Sequence, residues 1–137
     1  MNAADAPREL AIRYAQIVDN REFGRMTEIM CDDFTQQGPG FGAASLTEFI
    51  AGLAFLENYS ATFHMLGQQS GEWDGDVYHG ETYCVASHLY EKEGVPHKLD
   101  MGIRYSDHIV PDGSQYKYQS RDLNVVYVQD LPLEMSS

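Results

Sequence analysis

Five histidines punctuate the chain, at His64, His79, His88, His97 and His108. Histidine exchanges its proton near neutral pH, so these are the first candidates for acid–base chemistry. His79 and Glu81 share a strand face at spacing two and could ligate a metal, but no third ligand accompanies them. A solvated edge pair is the plainer reading, and no metal is expected. Cys31 and Cys84 form neither a CxxC pair nor a Cys/His metal spacing, and read as free, buried thiols in a reducing compartment. No Ser or Cys nucleophile motif is present, nor any Gly-rich phosphate loop. The chemistry left open needs neither a covalent intermediate nor a cofactor: proton transfer by a positioned side chain.

The bulk properties narrow the partners. The chain has 137 residues, which suits one domain, and a net charge of −12. Nucleic acid and anionic membrane surfaces draw on clustered Lys and Arg, so both are excluded as expected partners. Aromatics such as Phe41, Tyr59, Trp73 and Tyr118 form no stacking ladder among basic residues. Met1–Arg8 has no apolar run, and no stretch approaches the ~20 apolar residues of a spanning helix, so a cytoplasmic protein is expected.

The elements that must position these side chains come as helices first and strands afterwards, which favours α+β over alternating α/β. Leu10, Tyr14, Ile17 and Val18 recur at helical spacing and predict a helix over about Ala6–Asn20. A short second helix is predicted over Phe23–Met30. Ser45, with Glu48 three residues on, predicts a capped third helix burying Leu46, Phe49, Ile50 and Leu53. Strands are predicted over Tyr59–Gln69, Val77–Tyr90, a run around Leu99–Tyr105, and Gln115–Val128. Asp74-Gly75-Asp76 and Pro111-Asp112-Gly113 carry turn chemistry, Glu91–His97 is the remaining connection, and Asp107-His108 reads as a strand end entering a turn. Pro132 argues against strand in the tail, residues 129–137. A few long strands must curl around about three helices to bury both apolar sets, which leaves a cavity inside a cone.

Taken in order, Ile12-Arg13-Tyr14-Ala15 with Asp19, Asp32-Asp33-Phe34, Gly80-Glu81-Thr82-Tyr83-Cys84, and Gly102-Ile103-Arg104-Tyr105-Ser106-Asp107 with Asp112-Gly113 and Arg121 resemble the SnoaL-like branch of the nuclear transport factor 2-like superfamily. The resemblance extends from about Arg8 to Tyr127 and is nearest the scytalone dehydratase and hexachlorocyclohexane dehydrochlorinase group. It implies a cone-shaped α+β barrel in which helices pack in a strongly curved mixed or antiparallel sheet. It also implies a pocket His as base at His64, an Asp partner at Asp19 and an Arg on the last strand at Arg121. A second pocket His corresponds to His88. Tyr14, Phe63, Leu66 and Phe55 are the expected pocket wall. Tyr14 falls where the dehydrochlorinase has a Lys, and Val18 where the dehydratase has a Tyr, so neither substrate carries over.

On this resemblance the chain is expected to be a cofactor-free lyase that removes water or another small leaving group from an apolar cyclic or aromatic molecule. His64 is the base, Asp19 its orienter and Arg121 a charge stabiliser. A ketosteroid-type isomerase or polyketide cyclase using the same pocket, and a non-catalytic binding domain, are the rivals. The plain structural readings run alongside. A lone His on a strand is ordinarily a hydrogen-bonded structural residue. Asp19 opposes the dipole at a helix end unless Arg21 or a functional partner compensates. Arg121 can simply pair with Asp122 or Glu81. A binder has no need for His64 and Asp19 to touch, so their distance discriminates. An exposed sheet face rich in Tyr, Val and Met needs cover, which predicts a homo-oligomer.

Overall fold

The protein is described here by a computed structural model covering residues 1–134; residues 135–137, the end of the expected tail, lie outside the described residues. Helix α1 spans Ala6–Asp19, with Pro7 in its first turn, where a missing N–H costs nothing. Leu10, Tyr14, Ile17 and Val18 are buried on its inner face. Arg21, at a φ of 57°, takes the left-handed conformation that turns the chain away after the helix. Helix α2 spans Leu46–Leu53. The Ser45 hydroxyl accepts the Glu48 N–H at 3.1 Å, and the Glu48 carboxylate accepts the Ala44 N–H at 2.9 Å. This is the expected capping box, with its return arm reaching one residue further back.

The strands are β1 (Met30–Gly38), β2 (Phe41–Ala43), β3 (Ala61–Asp74), β4 (Val77–Lys92), β5 (Val95–Asp112) and β6 (Gln115–Pro132). They form one sheet in the order β2-β1-β6-β5-β4-β3. β1 runs parallel to β6 and every other pairing is antiparallel, so the sheet is mixed. Two-residue turns join β3 to β4, β4 to β5 and β5 to β6. Gly75 and Gly113 supply the positive φ (64° and 62°) that two of these tight reversals require.

Several elements differ from the sequence reading. The predicted second helix is a 3₁₀ turn over Phe23–Glu28, and Met30 instead opens β1. β1 is held by pairing with β6, Met30 opposite Tyr118 and Thr35 opposite Ser120. Such a long-range partner leaves little local trace. The connection expected over Glu91–His97 shrinks to Glu93–Gly94, because Val95 and Lys92 already pair. Asp107-His108 is mid-strand, and Pro111 stays in β5 opposite Tyr116. β6 continues to Pro132, beyond the expected end. β1 pairs β6 only near Tyr118–Ser120, so one side of Pro132 has no strand to bond and its missing N–H breaks no ladder.

Register shifts bend the sheet: between Leu66 and Gln69 on β3, and at Gly102/Ile103 and His108/Ile109 on β5. The long strands therefore curl without closing, and the concave face takes α1 and α2. The core sits there, with Leu10, Val18, Met26, Phe34, Ile109 and Tyr118 almost wholly buried. This is the α+β cone. No helix is long and apolar enough to cross a membrane among the described residues.

Candidate active site

Where α1 ends, its last residue meets β3. Asp19 Oδ1 lies 2.7 Å from His64 Nδ1 and accepts the Thr62 hydroxyl at 2.9 Å, while Oδ2 accepts the His64 backbone N–H at 2.9 Å. A carboxylate at a helix C-terminus opposes the dipole. Here three donors from β3 compensate, and Arg21 plays no part, since its guanidinium donates to the Tyr59 carbonyl. Burial by itself raises the Asp19 pKa, but the hydrogen bonds from the His64 ring and backbone, the His64 charge and Thr62 outweigh it and leave the carboxyl below its usual range. An ionised carboxylate can only accept, so Nδ1 of His64 carries a proton, and in the neutral ring the lone pair lies on Nε2. The His64 side chain is 7% exposed and lines a cavity of about 490 Å³.

That cavity lies between the concave sheet face and α2. Ala86, Leu99, Met101, Ile103 and Leu123 form its sheet wall, Phe49 and Leu53 its helical wall. Phe55, 64% exposed, and Tyr59 stand at the mouth, on the 3₁₀ turn after α2 and just beyond it. His88 also lines the cavity, two strand positions from His64 on the neighbouring strand, since Thr62 opposes His88 and Ala86 opposes His64. Its Nδ1 donates to the Leu99 carbonyl at 3.1 Å. Burial pushes the His88 pKa down, so the ring is neutral and offers Nε2 as an acceptor. The Tyr14 ring lines the cavity from α1 and packs edge-on against Tyr105, centroids 5.6 Å apart. Burial raises the pKa of both hydroxyls against the pull of Arg121, so both stay protonated donors.

Three expected wall or site residues stand elsewhere. Phe63 alternates with His64 along β3, so its side chain points to the convex face and is 57% exposed. Leu66 packs against the core beside the bulge in β3 and is not on the cavity wall. Arg121 is wholly buried and does not line the cavity. Its Nε donates to Asp107 Oδ1 at 2.9 Å, and Thr82 donates to the other carboxylate oxygen at 2.7 Å. The guanidinium stacks on the rings of Tyr105, Tyr14 and Tyr118, at 3.8, 4.4 and 4.9 Å, so two of the cavity's own wall residues separate it from the space. Burial works against both charges of this pair. It raises the Asp107 pKa against the pull of Arg121 and Thr82, while at Arg121 burial is outweighed by Asp107 together with Tyr118, Tyr105 and Tyr14, which hold the guanidinium above its ordinary value.

Neither anticipated partner of Arg121 is used: Glu81 pairs with Arg104 at 2.7 Å, and Asp122 accepts the Gln37 N–H. Asp107 is a partner that sequence reasoning missed, although Ile103, Tyr105, Asp107 and Ile109 alternate as an inward-facing row would. Thr62, Tyr105 and Gln36 were missed as well; Phe34 and Gln36 alternate in the same way on β1. Cys31 and Cys84 are free and buried, and burial pushes the Cys84 thiol up to about 11. His79 stacks on His108 with ring centroids 4.4 Å apart, and no three His, Cys, Asp or Glu side chains converge to hold a metal among the described residues.

Residues 2–122 match the SnoaL-like domain family, and the chain belongs to it. The fold recurs in a protein from Kribbella flavida, Kfla4162, with a TM-score of 0.81 at 23% identity over 88% of each chain. A candidate scytalone dehydratase from Novosphingobium aromaticivorans superposes with a TM-score of 0.82 at 19% identity, over 96% of this chain and 89% of that one. A type 2 hexachlorocyclohexane dehydrochlorinase, LinA, superposes equally well, at 0.82 and 16% identity, over 96% of this chain and 88% of its own. At these identities the likeness establishes the fold. No curated protein matches the chain.

Proposed function

We propose that this protein is a cofactor-free lyase that eliminates water or another small leaving group from an apolar cyclic molecule. The observation that carries this reading is the contact between His64 and Asp19 at the wall of an apolar cavity. His64 Nε2 takes a proton from a carbon next to the one bearing the leaving group. The C–H electron pair becomes the new double bond as the leaving group departs with its own pair. Asp19 keeps the ring in the tautomer that presents Nε2 and stabilises the imidazolium that forms. The neutral hydroxyls of Tyr14 and Tyr105 and the Nε2 of His88 are further polar groups of the wall able to hold the substrate. Arg121 has no direct role, because it is sealed behind the tyrosines.

The test is kinetic. A panel of hydroxylated and halogenated cyclic compounds is screened for formation of the unsaturated product. On the compound turned over, His64→Ala is expected to lower kcat about 10²–10⁴-fold while leaving the fold intact by circular dichroism. An enzyme that turns over equally well without His64 overturns the mechanism. Rearrangement of a double bond without loss of a group would instead favour the isomerase, in which the same base feeds an enolate.

A further inference from the structure

β3 is one edge of the curled sheet and β1 lies next to the other edge strand, β2, with β6, β5 and β4 between them, so concave-facing residues on β1 and β3 stand on opposing walls of the cavity. His64 occupies the β3 wall. The β1 wall carries Gln36, which lines the cavity and is only 7% exposed. The burial pattern of β1 turns Phe34 and Gln36 inward and Thr35 and Gln37 outward. An inward strand position beside Phe34 ordinarily takes an apolar side chain, since a buried amide without a partner forfeits its hydrogen bonds to water.

Three other polar wall residues have partners. His64 is held by Asp19, His88 by the Leu99 carbonyl, and Glu48 by the Ala44 N–H. Among the described residues no hydrogen bond is formed to the Gln36 carboxamide. Its cross-strand neighbour on β2 is Ala43, which with Gly42 also lines the cavity, so small side chains leave the amide facing open space. No Lys or Arg lines the cavity among the described residues, and the chain carries a net charge of −12. An ionised acid in this space would find no counter-charge.

We propose that Gln36 determines specificity, and that its carboxamide reads a neutral oxygen, a ketone or a hydroxyl, at the end of the ligand remote from His64. This deepens the lyase reading and rests on it for the identity of the reacting end. A carboxamide both donates and accepts, so it pairs with either oxygen function and discriminates against a hydrocarbon, which leaves it orphaned.

The experiment is a binding comparison that needs no turnover. Indane, 1-indanone, 1-indanol and indane-1-carboxylate are titrated into the full chain by calorimetry, against wild type, Gln36→Leu and Gln36→Met. Wild type is expected to bind the ketone or the alcohol roughly tenfold more tightly than indane, about the yield of one hydrogen bond at a buried site, and the carboxylate more weakly than either. Both variants are expected to bring the ketone, alcohol and hydrocarbon within about twofold of one another, with indane held no less tightly than by wild type. The ketone and alcohol arms say which oxygen function is read. Should neither variant fold, the ¹⁵N-labelled wild type decides: the Gln36 side-chain NH₂ signal shifts with 1-indanone and not with indane. A preference that survives in both variants, the absence of any preference in wild type, tight binding of the carboxylate, an unmoved amide signal, or no binding of any probe overturns the proposal. His64→Ala is expected to retain the oxygen preference. Loss of the lyase mechanism and loss of the Gln36 role are therefore read from separate measurements.

Discussion

His64–Asp19 and Arg121–Asp107 lie on the same concave face, each a nitrogen base hydrogen-bonded to a carboxylate at under 3 Å, yet they are built for different ends. The first pair keeps one edge open: its side chains are 7% and 25% exposed, and His64 has a free Nε2 toward the cavity. The second is sealed, at 0% and 1%, beneath three tyrosine rings. A proton-transfer site needs a group that can lose and regain a proton in contact with a ligand. A sealed ion pair can do neither, and its worth lies in fixing β5 to β6 and in backing the Tyr14 and Tyr105 rings. Residue type therefore says less about role than access does. Arg121 has the chemistry expected of a charge stabiliser but not the position.

The comparison breaks most readily at the sealed pair. Arg121→Met leaves Asp107 buried without its counter-charge and is expected to cost about 3–5 kcal/mol in urea unfolding, whereas adding Asp107→Leu should recover most of the loss. A single variant as stable as wild type would show that the pair is not the buried clamp described here.

Next in size is Asp19→Asn. It preserves shape but removes the charge and turns one of the two accepting oxygens into a donor, so Nδ1–H and the His64 backbone N–H can no longer both be held. Turnover on a screened substrate should fall at least roughly 10²-fold, with only about 1 kcal/mol lost in stability. Undiminished turnover would mean that the carboxylate does not orient the base.

Acid titration sharpens the contrast further. An unfolded Asp protonates near pH ~3.9, and the folded Asp19 does so lower. Its stabilising contribution is thus complete above that unfolded value and is lost as the pH falls through the folded one. The stability gap between wild type and Asp19→Asn should therefore narrow as the pH falls below about 4. Urea midpoints measured over that fall in pH check it, and a gap unchanged down to pH 3 would contradict the depressed carboxyl.

The smallest effect is expected on the other side of the sheet. Phe63 and Met65, each 57% exposed on the convex face, touch neither pair. Phe63→Ser should leave turnover unchanged and alter monomer stability by no more than about 0.5 kcal/mol. This face, with Val85 at 37% and Tyr127 at 47% in the same cross-strand row as Met65, is where the expected homo-oligomer would find its cover. Light scattering at micromolar concentration should return at least twice the 15.4 kDa of one chain. A monomer would remove that expectation, and Phe63→Ser should weaken association without touching the cavity chemistry.

Local chemistry was legible along the chain. The α1 stripe, the Ser45–Glu48 cap, and the Gly75 and Gly113 turns are written in residues a few positions apart, because each depends on a backbone geometry that neighbouring side chains decide. His64 and Asp19 could be singled out, since their types and order resemble a known family's. What local patterns could not supply was everything that depends on pairing across the sheet. β1 forms by lying along β6, far away in the chain, so Phe23–Met30 looked helical and Gln36 passed unnoticed. Arg121 had Asp122 and Glu81 as apparent partners. The β5–β6 register instead set it opposite Asp107, and the bend of the sheet closed Tyr14, Tyr105 and Tyr118 over it. Whether a charged side chain reaches the cavity or is shut behind its wall is a matter of which strand positions the curled sheet brings together, and only the tertiary structure decides that.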